Sequence, residues 1–104
     1  MGDVRLASTL EGLIVALCAD FDRRREAIAT GSVNRRTDTE LRYLNYKLLD
    51  AAAEIVGEDE SELYIREIGA HTGYAKSATA VSESTYKNYK MLVKASIAKK
   101  LHLK

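Results

Sequence analysis

Eight residues close together near the C-terminal end carry the side chains best suited to chemistry: Ser82, Ser84, Thr85, Lys87, Asn88, Lys90, Met91 and Lys94. Their chemistry is recognition. A lysine ammonium contacts guanine edges or phosphates, and an asparagine amide pairs with adenine. If these residues lie at the start of one helix, the helix N-terminus adds its own attraction for phosphate. Ser84, Asn88 and Met91 would face bases, while Lys87, Lys90 and Lys94 supply electrostatic attraction, with Lys90 reaching back from the edge of the apolar face towards a backbone.

Catalysis needs groups that meet, such as a nucleophile with a base, paired carboxylates or three metal ligands. His71 and His102 stand far apart in loop-like sequence, and Cys18 is the only cysteine. Cys18 rides beside an apolar stripe and is expected to be a buried, unreactive small hydrophobe. No Gly-x-x-x-x-Gly-Lys phosphate loop occurs. The acidic run Glu58-Asp59-Glu60-Ser61-Glu62 lacks the spacing of a calcium loop and suits the positive end of a helix dipole. Arg23-Arg24-Arg25 and Arg35-Arg36 are interleaved with Asp20, Asp22, Glu26 and Asp38, so a solvated, largely neutralised surface is expected there. The sequence therefore predicts a binding protein, with no catalytic, cofactor or metal site.

Helices must position these groups. At about 100° per residue, Tyr86, Tyr89, Val93, Ile97 and Leu101 cluster on one side of a long helix that starts at Ser82 and ends near Leu101. That stripe must face the core. Glu83, Ser84, Lys87, Asn88, Met91 and Lys94 then fall mostly on the opposite face. Upstream, the capping box Ser8-Thr9-Leu10-Glu11 opens a helix with the stripe Leu6, Leu10, Leu13, Leu17 and Phe21, running to Gly31. A second box, Thr37-Asp38-Thr39-Glu40, opens a helix with the stripe Leu41, Leu44, Leu48, Ala52 and Ile55, ended by a left-handed Gly57. A shorter helix follows, carrying Leu63, Tyr64, Ile65 and Ile68 and ended by Gly69 or Gly73. The segment from Gly69 to Val81 has a poor apolar period. The expected fold is one all-α domain of four or five helices over residues 1–104, with an antiparallel helix hairpin over 1–57 and a helix-turn-helix-like unit over 58–104.

Composition agrees. The chain is 46% hydrophobic and 30% charged, with no proline and six glycines, which is ordinary globular composition with little to interrupt helices. No stretch is long and apolar enough to span a bilayer, no leader is visible, and the lone cysteine needs no oxidising compartment, so the cytosol is the expected location. The net charge of +1 hides an asymmetry. Up to Gly69 there are nine basic and fourteen acidic side chains; beyond it, seven lysines face Glu83 alone. Either the basic end meets a polyanion, or the two ends neutralise each other within the fold or in a dimer.

Val81-Ser82-Glu83-Ser84-Thr85-Tyr86-Lys87, followed by Lys90, Lys94 and Ile97-Ala98-Lys99-Lys100-Leu101, resembles the last helix of phage-encoded transcription regulators of the RinA and ArpU kind. The ends of those regulators are similar to the promoter-reading helix-turn-helix of sigma factors. The resemblance spans residues 62–104 and is closest over 81–103. It implies a DNA-binding regulator in which Tyr64 to Ile68 belongs to a supporting helix and Thr72 to Ala80 forms the first helix of the motif. Ser82, Ser84 and Thr85 would sit at the turn, and Lys87, Asn88 and Met91 would face the major groove of double-stranded DNA. One domain of this size covers a short half-site, so tight operator binding would take a homodimer. The alternative is a non-catalytic helical module for protein interaction or self-assembly.

Overall fold

The computed structural model describes residues 8–31 and 33–103 and is all-α. Among the described residues five α-helices follow in order: α1 (Ser8–Ala19), α2 (Phe21–Thr30), α3 (Arg35–Val56), α4 (Glu58–Gly69) and α5 (Glu83–Lys100). A 3-10 turn, Tyr74–Lys76, lies between the last two, and no strand occurs among the described residues. Leu6, expected at the head of the first stripe, lies outside them.

The stretch expected as a single helix up to Gly31 is two. The chain breaks at Asp20, φ −89° and ψ 3°, where α4 closes on the end of α1. Carbonyl groups at the break find side-chain donors. Arg24 Nη2 donates to Leu17 O at 2.6 Å, and Asn45 Nδ2 donates to Phe21 O at 3.2 Å. Arg24 Nε in turn donates to Asn45 Oδ1 at 2.6 Å, so a buried arginine and a buried amide tie α1, α2 and α3 together. The break also shifts the buried line of α1. Ile14 and Cys18 are buried, whereas Leu13 of the expected stripe is 46% exposed; Phe21 of that stripe is buried but opens α2. Arg24, expected in a solvated cluster, is 4% exposed, while Arg23 and Arg25 lie outside and pair with Asp20 and Glu62.

The cap of α3 lies three residues before the expected one. Asn34 is the N-cap and its side chain accepts from Thr37 N at 2.8 Å, which leaves Thr37 inside the first turn. α3 ends at Gly57, whose φ is positive as expected, but its ψ of 161° is extended, not helical left-handed. This geometry turns the chain within one residue and α4 starts at once. Neither Gly69 nor Gly73 supplies the left-handed terminator of α4. His71 does, at φ 55°, with Thr72 N donating to Glu67 O and His71 N to Ile68 O in the paired pattern of a Schellman cap. His102, at φ 58°, closes α5 in the same way through Leu103 N to Ala98 O and His102 N to Lys99 O. Both histidines are helix stops.

α3 is the central helix and packs on α2, α4 and α5. α2 pairs with it, but α1 lies against α4 and α5, so the first two helical stretches are not a simple hairpin over residues 1–57. The core joins Ile14, Cys18 and Phe21 with Leu48, Ala51 and Ala52 of α3, Tyr64, Ile65 and Ile68 of α4, and Tyr86, Val93 and Ile97 of α5. Each fully buried large aliphatic contributes about 1.5–3 kcal/mol before entropy is counted. Residues 72–80 do not form the α-helix that the resemblance implies. They are a loop with one 3-10 turn, pinned by hydrogen bonds from Ser77 to Glu67 of α4 and from Lys90 of α5 to the Thr72 carbonyl.

Candidate nucleic-acid interface

α5 starts where the sequence places it. Ser82 is the N-cap, and its Oγ accepts from Thr85 N at 3.4 Å and lies 3.0 Å from Thr85 Oγ1. The helix is held from behind by Tyr86, Val93 and Ile97, all buried, with Tyr89 and Leu101 packed partly against the core. Tyrosine rings extend that anchorage. Tyr86 stands 5.6 Å from Tyr64 of α4 and 5.7 Å from Tyr74 of the 3-10 turn, between ring centroids.

A buried carboxylate organises the approach to α5. Glu67 is 8% exposed, and its Oε1 accepts from Ser77 Oγ and from Tyr86 Oη, both at 2.6 Å. Its Oε2 accepts from Ala78 N at 3.3 Å. The Thr72 carbonyl accepts from Lys90 Nζ at 2.8 Å and lies 3.1 Å from Tyr86 Oη. Tyr74 Oη donates to Val81 O at 2.8 Å, immediately before the α5 cap. In place of a first motif helix, a polar network fixes the loop that delivers Ser82. Burial, and after it the bond to Glu67, push the Tyr86 hydroxyl up to about 12.

The eight expected site residues separate into two groups. Ser82, Ser84, Lys87 and Asn88 are exposed, and Thr85 and Met91 are half-buried beside them. Lys87 is held by Glu83 at 2.9 Å, one turn back. Lys90 and Lys94 do not belong to that open face. Lys90 lies over the Tyr86 ring at 5.1 Å while it donates to the Thr72 carbonyl, and desolvation, then Lys94, lower its pKa. The Lys94 side chain is only 20% exposed and pairs with Glu11 of α1 at 2.7 Å. These two lysines point inwards because the face they share with α5's apolar stripe is closed by α1 and the 70–82 loop.

Charge follows the same pattern. Lys94 meets Glu11, and Lys100 meets Asp50 at 3.0 Å and also Glu54. Part of the basic end is thus neutralised by the acidic first half within the fold. Lys76 and Lys99 are exposed. Sequence reasoning missed Glu67, Arg24 and Asn45 as buried polar residues: Arg24 stands between two other arginines, and Glu67 and Asn45 are of types usually exposed, so only their partners in space distinguish them. A signal existed for Glu67: on α4 it falls beside Tyr64 and Ile68, on the buried side of the helix.

Cys18 is 2% exposed, and burial pushes its thiol up to about 12 from an ordinary 9.0. Among the described residues no group of His, Cys, Asp and Glu is placed to hold a metal ion, and no helix is long and apolar enough to cross a membrane. Comparison of the chain with protein-family models, with curated proteins and with solved structures gave no match.

Proposed function

We propose that this protein is a non-catalytic DNA-binding regulator that enters the major groove with the N-terminal half of α5. The observation that carries the reading is the exposure of Ser84, Lys87 and Asn88 together on a helix whose other side is locked by Tyr86, Val93 and Ile97. A rigid helix with a short polar face is what base-edge readout requires. Asn88 would pair with adenine, Ser84 would face a base edge beside it, Lys87 would contact a guanine edge or a phosphate, and the helix start at Ser82 would meet a phosphate. The resemblance of residues 81–103 to phage-encoded regulators of the RinA and ArpU kind points the same way. With Lys90 and Lys94 engaged inside the fold, few phosphates are contacted per copy and the salt slope should be shallow.

The test is a titration with duplex fragments from the gene's own genomic neighbourhood at two salt concentrations. Binding that weakens with salt and prefers one fragment supports the reading; no binding to any duplex at low salt overturns it. A helical interaction module is the second reading. It is favoured by the exposed Tyr43 and Tyr46 on α3 and by the internal neutralisation of Lys94 and Lys100.

A further inference from the structure

Tyr43 and Tyr46 are 56% and 62% exposed, far more than large aromatic side chains of a small domain usually are. Both lie on the face of α3 that turns away from the buried Leu48, Ala51 and Ala52. Lys47 sits over the Tyr43 ring at 5.4 Å. Tyr46 forms a ridge between two concavities. One, about 540 Å³, lies between α2 and α3 and is walled by Phe21, Ile28 and Leu49; the other, about 410 Å³, lies between α3 and α4 and includes Glu58. An aromatic ridge flanked by hollows can both insert into a neighbour and receive it.

The charges along this face have an order. Arg35 and Arg36 open α3 and are exposed; Glu58 and Asp59 follow its far end and are exposed as well. Arg35 and Glu58 stand at nearly equal sequence distances on either side of Tyr46. A face that is cationic at one end, aromatic in the middle and anionic at the other is complementary to itself when turned end for end.

We propose that the Tyr43–Tyr46 face of α3 is a self-association surface, on which a second copy of this chain docks with its α3 antiparallel, Arg35 and Arg36 meeting Glu58 and Asp59 of the other copy. The tyrosines of the two copies interleave at the centre, where aromatic anchors contribute most to an interface. α3 is about 33 Å long. A single helix pair of that length falls at the low end of specific interfaces, below about 1,200 Å², so the dimer forms and dissociates with concentration. The surface uses none of the exposed residues of α5, and it stands whether or not the protein binds DNA.

Sedimentation velocity of the full chain, from micromolar concentrations up to about 1 mM, reads the association directly. The expected result is a monomer–dimer equilibrium that weakens with added salt. Tyr43→Ser with Tyr46→Ser should weaken it at least tenfold while circular dichroism stays unchanged, since neither ring is in the core. Arg35→Glu with Arg36→Glu should abolish self-association, and so should Glu58→Arg with Asp59→Arg. Mixing these two charge-reversed proteins should restore a dimer, because every end contact in the mixed pair is again between opposite charges. A chain that stays monomeric at every concentration overturns the proposal. So does a dimer indifferent to the tyrosine substitutions, or two folded charge-reversed proteins that fail to associate when mixed.

Discussion

Gly69 of α4 and Ala19 of α1 meet backbone to backbone: a Cβ on Gly69 would stand 2.5 Å from the Ala19 nitrogen and 2.7 Å from its Cα. The contact sets how closely α4 lies on α1, and it falls beside the Asp20 break between α1 and α2. Gly69→Ala ought to gain helix propensity, by up to about 1 kcal/mol. The neighbours are backbone atoms that cannot swing aside, so overpacking wins, and a net loss of roughly 1–3 kcal/mol is expected. Chemical denaturation of the variant checks this; an unchanged or raised midpoint would show that the two helices separate without cost.

Glu67 is the acceptor that holds the 70–82 loop, so Glu67→Ala strands Ser77 Oγ and Ala78 N in a part-buried site and leaves Tyr86 Oη with the Thr72 carbonyl alone. A loss of roughly 2–4 kcal/mol is expected. Hydrogen exchange should localise the effect, with the Ala78 amide and its neighbours losing protection before the core of α3 does. Uniform loss across all helices would mean that the network supports the whole fold instead of this loop.

Stability should fall in alkali. Burial raises the folded pKa of the Cys18 thiol from 9.0 to about 12, and burial with the Glu67 bond raises that of the Tyr86 hydroxyl from 10.0 to about 12. The fold favours the neutral, protonated form of both. Their contribution is complete below the unfolded values and is lost as pH rises from about 9 through about 12. Denaturation midpoints measured across that window should decline, and Cys18→Ser should flatten the lower part of the decline. For the same reason native Cys18 should resist thiol reagents at pH 8 and react on unfolding. Rapid labelling of the native protein would contradict its burial.

On α5 the two groups of residues should behave differently. Asn88→Ala should cost on the order of 1–3 kcal/mol on the preferred duplex and little on random DNA. Lys87→Ala should weaken binding to all sequences and reduce the salt slope by about one. Neither should disturb stability, since both side chains are exposed. Lys94→Ala should do the reverse, since Lys94 is spent on Glu11 of α1: a loss of stability on the order of 1 kcal/mol, with the salt slope unchanged. Equal effects of Lys87→Ala and Lys94→Ala on DNA affinity would refute the division.

Local signals in the sequence were enough to settle the helical class, the start of α5 at Ser82, its buried line of Tyr86, Val93 and Ile97, the end of α3 at Gly57 and the burial of Cys18. Periodicity and capping act within one or two turns, so nearby residues suffice to specify them. What the tertiary structure decided depends on residues far apart in the chain. The break at Asp20 accompanies an approach by Gly69. Arg24 is buried because Asn45 and the Leu17 carbonyl receive it, and Glu67 is buried because Ser77 and Tyr86 donate to it. Whether a lysine of α5 faces solvent or the fold was likewise beyond helical phase. Lys87 and Lys94 are similar by type and by charge, yet only α1 supplies Glu11 within reach of one of them. Desolvation and pairing, set by the packing of whole helices, separated the exposed face of α5 from the internal one.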